Sequence, residues 1–146
     1  MAKVLAVNIS REKGVIKTPV KEGVFLENHG LQDDAHAGDW HRQVSLLGQE
    51  SVDKIKALGI ENLEAGVFAE NILTEGIVLY ELPIGTKLKV GETLHEVTQI
   101  GKKCHHGCEI FKKVGDCVMP REGIFTRVLQ GGTIREGDDI EIVTEG

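Results

Sequence analysis

The chain has 146 residues, 40% of them hydrophobic and 27% charged, with a formal net charge of -6. That composition suits a globular chain long enough to bury one real core, and residues 1–146 read as a single domain without a linker, repeat or low-complexity segment. The acidic balance excludes a broad nucleic-acid or anionic-membrane surface, which needs a basic face, and an aromatic content of 4% excludes a row of base-stacking platforms.

Val4 to Ile9 reads as a buried strand, ended by the polar run Ser10-Arg11-Glu12-Lys13-Gly14. The residues before it are too few and too quickly polar for a signal peptide, and no apolar run is long enough to span a bilayer. A cytoplasmic location is the resulting expectation. Gly23 to Glu27 reads as a second short strand. A long polar stretch follows, from His29 to Arg42, with neither helical nor strand period. Long ordered loops inside a compact domain are often functional. Asp33, Asp34, His36, Asp39 and His41 offer hard-metal ligands there, but at irregular spacing. A hydrogen-bonded loop packed under Trp40 is the preferred account of them.

Gln43 to Leu47 is expected to be a strand and Ser51 to Leu58 a helix. Val52, Ile55 and Leu58 share one face of that helix, and Gly59 can end it. Further short strands are expected at Glu70–Thr74, Lys87–Val90, Leu94–Ile100, Ile124–Leu129 and Asp139–Val143. Many of the 18 glycines punctuate them. Short strands with glycine turns and few helices predict a mainly β fold, a sandwich or a barrel.

The three cysteines fall within fourteen residues, in Lys102-Lys103-Cys104-His105-His106-Gly107-Cys108-Glu109-Ile110 and Gly115-Asp116-Cys117. An odd number of clustered cysteines in a reducing compartment points to metal or catalysis rather than a disulfide framework. Neighbouring positive charge favours the thiolate, which is both the nucleophile and the metal ligand. A zinc site would recruit Cys104, Cys108, Cys117 and a histidine, yet the spacing fits neither common zinc knuckle. An iron–sulfur cluster lacks its fourth cysteine. A reactive thiol, carrying sulfur or acting as a single metal ligand, suits the cationic, glycine-flanked setting better. Inert core cysteines are the plain alternative. Arg127 stands out separately: it interrupts the apolar pattern Ile124-Phe125-Thr126-Arg127-Val128-Leu129, where a charge needs a partner.

Four segments together resemble the MOSC domain family, named for the C-terminal domain of molybdenum cofactor sulfurase. They are His36-Ala37-Gly38-Asp39-Trp40-His41-Arg42-Gln43-Val44-Ser45-Leu46-Leu47, Gly66-Val67-Phe68-Ala69-Glu70-Asn71-Ile72, Ile84-Gly85-Thr86-Lys87-Leu88-Lys89-Val90-Gly91, and the run from Gly101 through Cys108 to Gly123-Ile124-Phe125-Thr126-Arg127-Val128-Leu129. They occur in the family's order and extend over nearly the whole chain. The resemblance, to the small stand-alone subtype, implies a closed or partly open β-barrel of the pyruvate-kinase-barrel kind with few short helices. It also implies a cysteine that carries a persulfide sulfur or ligates molybdenum. By its position before Glu109-Ile110, Cys108 matches that cysteine and is the expected metal ligand, with Cys104 as the second candidate. The implied cofactor is molybdenum cofactor, with a phosphate and a polar pterin. Arg127, Lys102, Lys103, His41, Arg42 and His36 are the residues expected to contact it.

The expected role is cofactor binding or sulfur transfer in cofactor maturation or delivery. Molybdenum-cofactor biosynthesis proteins or molybdoenzymes are the expected partners. Two alternatives stand beside it. One is a molybdenum-dependent reductase of N-hydroxylated substrates, with electrons supplied by a partner. The other is a non-enzymatic, zinc-stabilised interaction domain. The chain lacks the aminotransferase domain of the full sulfurase, so no pyridoxal phosphate is expected on it.

Overall fold

The computed structural model describes residues 2–12, 17–35, 37–57, 70–100 and 123–143. Strands dominate: β1 (Ala2–Ile9), β2 (Thr18–Val20), β3 (Glu22–Leu26), β4 (Gly30–Leu31), β5 (Val44–Gly48), β6 (Ile72–Glu75), β7 (Lys87–Val90), β8 (Thr93–Ile100), β9 (Ile124–Gln130), β10 (Gly132–Arg135) and β11 (Asp139–Val143). One α-helix, α1 (Gln49–Lys56), and a short 3-10 turn at Leu79–Glu81 complete the described elements. The expected strands are present within one or two residues at either end. Strands β2, β4 and β10 were not expected from the sequence. They are only two to four residues long, too short for a period of two to register.

Seven strands close into a barrel in the order β1–β6–β5–β9–β8–β7–β11, and pairing of Ala2 with Ile140 and Lys3 with Asp139 joins β11 back to β1. Closure removes the exposed edges an open sheet would carry. Strands β5 and β6 run parallel. A tight turn cannot join a parallel pair, and α1 begins the connection from β5 to β6. The expected helical face is buried at Val52, and Gln49 donates to Asp53 one turn on, at 2.9 Å.

Alternation along the strands sends one set of side chains inward. Leu88 and Val90 of β7, Val97 of β8, Ile124 and Val128 of β9, Leu46 of β5, Ile72 of β6 and Val7 of β1 form one buried cluster. A three-stranded sheet, β10–β3–β4, packs on the barrel through Phe25, Leu31 and Ile134, which join the same cluster.

His95 also points inward from β8. It is fully buried and lies edge-on to Phe25. The Thr93 hydroxyl donates its one proton to the Val90 carbonyl at 2.7 Å, so it accepts from His95 Nε2 at 2.7 Å. His95 Nδ1 then accepts from the Thr126 hydroxyl at 2.8 Å. This network assigns a neutral imidazole protonated on Nε2. Burial lowers its pKa from 6.5 to about 3, because the charged ring would lose its hydration.

Candidate functional site

The long polar loop is shaped by backbone contacts before its side chains do anything. It leaves β3 through Asn28, whose φ is 53°, a left-handed conformation that asparagine tolerates. Two residues on, Gly30 has φ 116°, and a Cβ there would sit 2.6 Å from the backbone oxygen of Gln43. Only glycine meets both conditions. The Asn28 backbone N–H donates to the Val128 carbonyl at 2.9 Å, and the Gln43 side-chain oxygen accepts from the Val128 N–H at 2.9 Å. Gln43 Nε2 donates to Asn28 Oδ1 at 3.1 Å, and Asn28 Nδ2 to Asp39 Oδ1 at 3.0 Å. The Asn28 backbone and the Gln43 side chain thus continue the sheet ladder along β9 past the first residue of β5.

Its last turn, Trp40-His41-Arg42, lies on the outer face of the β8–β9 pair. Gln99 Oε1 accepts from both Arg42 Nε, at 3.0 Å, and His41 Nε2, at 2.9 Å. Acceptance by Gln99 places a proton on His41 Nε2. The Thr98 hydroxyl donates to the His41 carbonyl. The Arg42 guanidinium sits over the Phe125 ring, 5.4 Å from its centroid, and 5.9 Å from the Trp40 centroid. Both are cation–π distances. Arg42 Nη1 and Nη2 have no hydrogen-bond partner among the described residues, so the paired donors at the tip of the fork remain available while Nε fixes its direction.

A β-bulge makes this contact possible. The pairing of β8 with β9 shifts between Val97 and Gln99, so Gln99 stands opposite Phe125 rather than one place further on. Without the extra residue, side-chain alternation would turn Gln99 to the other face. Ile100 pairs with Ile124 at the end of the hairpin, and residues 101–122 connect the two strands.

Of the residues singled out in the sequence, His41 and Arg42 are brought together by Gln99. Arg127 lies on the same outward side of β9 as Phe125, two residues further along, since Thr126 and Val128 between and beyond them point inward. The partner its charge requires is Glu96, directly across on β8, with Arg127 Nη2 2.7 Å from Glu96 Oε1. No hydrogen bond joins Arg127 to His41 or Arg42 among the described residues. Cys104, Cys108, Cys117, Lys102, Lys103 and His36 lie outside the described residues.

The hard-metal ligands of the loop are drawn to separate partners. Asp34 Oδ1 binds Lys17 Nζ at 2.7 Å and the Ser10 N–H at 3.0 Å, while Asp39 is held by Asn28. No cluster of three or more metal-ligating side chains is found among the described residues. Glu70 and Asn71 knit three strands together. Asn71 Oδ1 accepts from the Ser45 N–H at 3.0 Å and its Nδ2 donates to the Asn8 carbonyl at 3.2 Å, tying β5 to β1 ahead of β6. Asn8 Nδ2 donates to the Glu70 carbonyl at 3.1 Å. The site residues not foreseen are Thr98, Gln99 and Phe125. All three sit in a strand pattern that looks ordinary, and only the bulge gives them a role.

The family model for the MOSC domain matches residues 33–141. Among solved structures, the YuaD protein from Bacillus subtilis superposes with a TM-score of 0.82 at 17% identity, over 100% of this chain and 98% of that one. YiiM from Geobacillus stearothermophilus gives 0.75 at 22% identity, over 100% of this chain and 77% of that one. YiiM from Escherichia coli gives 0.72 at 18% identity, over 100% and 71%. At these identities the likeness is one of fold. No curated protein matches the chain by sequence.

Proposed function

The chain belongs to the MOSC domain family, associated with molybdenum-cofactor-related function, and from that membership we propose that it binds molybdenum cofactor, or relays sulfur to it, on the face of the β8–β9 hairpin. The observation that carries this reading is the tethering of His41 and Arg42 to Gln99, one residue before β8 ends. The connection that bears all three cysteines departs from Ile100 and returns to β9 beside Phe125. In sequence, Cys104 follows Ile100 by four residues and Cys108 by eight.

The donors fit the group. Arg42 offers two N–H donors on a guanidinium held by Gln99 and stacked on Phe125, suited to gripping a phosphate in bidentate fashion. His41 Nδ1 can hydrogen-bond a polar ring. Cys108, flanked by lysines and histidines in sequence, supplies the soft thiolate for a metal or a persulfide sulfur. When bound, the cofactor supplies the molybdenum centre and its phosphate; the chain's own groups orient the phosphate and present the thiol. Its partners are then proteins that make the cofactor or receive it.

Native mass spectrometry tests this on protein made anaerobically in a host that synthesises the cofactor. Wild type is expected to carry a cofactor mass, or a sulfur adduct of about 32 Da as for a persulfide. Both are expected to vanish in Cys108→Ser, with the fold retained. A zinc mass on wild type, or bare polypeptide in both proteins, would sink the proposal.

A further inference from the structure

Away from the β8–β9 face, the same loop is gripped a second time. Lys17 and Asp34 form an ion pair at 2.7 Å with both side chains fully buried. Lys17 Nζ also donates to Ser10 Oγ at 3.1 Å, and the Ser10 N–H donates to the same Asp34 oxygen at 3.0 Å. The Ala35 N–H closes the knot on the Ser10 carbonyl at 2.8 Å. Ser10 directly follows β1 and Lys17 directly precedes β2, so this clasp fastens the loop to the barrel wall.

The residue before the clasp carries strain. Asp33 has φ 70°, in the left-handed region that non-glycine residues occupy at a cost. Such a conformation persists where its surroundings over-determine it. From Asp34 the chain is tied forward step by step, Ala37 N–H to the Asp34 carbonyl at 3.1 Å and Gly38 N–H to the His29 carbonyl at 2.7 Å, until it reaches Trp40. Burying two charges costs much of what their attraction returns, so a buried pair is poor evidence for stability. Its effect is to admit one geometry.

We infer that Lys17 and Asp34 are positioning residues for Trp40-His41-Arg42: the buried clasp fixes where the loop starts, so that Arg42 and His41 arrive together at Gln99. Its bearing on ligand binding rests on the reading given under Proposed function, but the positioning has a readout of its own. Trp40 is the only tryptophan in the chain, and it lies beside Arg42 and His41. Its fluorescence therefore reports this loop and nothing else.

Lys17→Met alone removes the cation beside the buried Asp34 carboxylate and risks unfolding, so the paired variant Lys17→Met/Asp34→Asn, which removes both charges, is the one to measure. It is expected to keep the circular dichroism of the barrel and a cooperative melt. Its Trp40 emission is expected to shift to the red and to become more open to acrylamide quenching. A core variant of matched melting temperature, Val90→Ala, is expected to leave Trp40 unchanged. Trp40 emission and quenching identical to wild type in the paired variant overturn the clasp. Cofactor occupancy of Arg42→Ala reports separately on the site. Loss of cofactor there with an unmoved Trp40 in the paired variant refutes the clasp and keeps the site. A moved Trp40 with full occupancy in Arg42→Ala upholds the clasp and refutes the site.

Discussion

Gln99 is the residue on which the candidate site depends. Its one carbonyl oxygen receives a histidine and an arginine at once, so a change there acts on both. Gln99→Leu keeps a similar volume and removes the acceptor. The expected outcome is an intact barrel by circular dichroism with reduced cofactor occupancy. Arg42→Ala removes the fork itself. One charge-assisted bond contributes about 1.5–3 kcal/mol, so cofactor affinity should fall roughly 10- to 150-fold. A titration showing less than a threefold loss would mean that Arg42 does not touch the ligand. His95 bears on stability rather than on the site. Its folded pKa, about 3, lies below its ordinary 6.5, so the unfolded chain binds the extra proton between those values. Its contribution is therefore fully present above pH 6.5 and is lost as the pH falls toward 3, at up to about 1.4 kcal/mol per pH unit. Urea midpoints measured from pH 7 to 4.5 should fall, and the slope should flatten in His95→Gln.

At the scale of elements, a bulge and a loop make the site together. The bulge in β8 turns Gln99 toward Phe125, and the loop between β4 and β5 delivers Trp40, His41 and Arg42 to the same place. Gly30 lets the loop begin. Gly30→Ala places a methyl group against the Gln43 backbone at a φ that an L residue resists. The expected loss is about 2 kcal/mol or more, read from thermal melts. The loop would also move away from β9, since Gln43 holds Val128. Much of this level was legible in the sequence. Alternation and glycine turns marked the long strands, and aperiodic polarity marked the loop. The bulge was not legible, because one extra residue leaves the apolar pattern of Leu94 to Ile100 almost unchanged. Lys17 also gave no sign, because a lone lysine between Ile16 and Thr18 would suit a solvated surface equally well.

At the scale of the whole molecule, closure of the barrel makes the interior a single packed unit. Leu46 lies inside with no exposed surface, and Leu46→Ala is expected to cost about 2–5 kcal/mol in urea unfolding, with one cooperative transition retained. No helix among the described residues is long and apolar enough to cross a membrane. By itself the sequence determined the fold class, because periodicity and turn residues are local properties that each segment carries wherever it lies. It also determined the family, because four motifs in order are a property of the line of residues. Which side chains meet was decided only by the tertiary structure. Gln99 reaches back 57 residues to Arg42, and Asp34 pairs with Lys17 beside the end of β1 and the start of β2. Such contacts depend on register, closure and a bulge, and these are set by how the strands pack against one another rather than by any one segment.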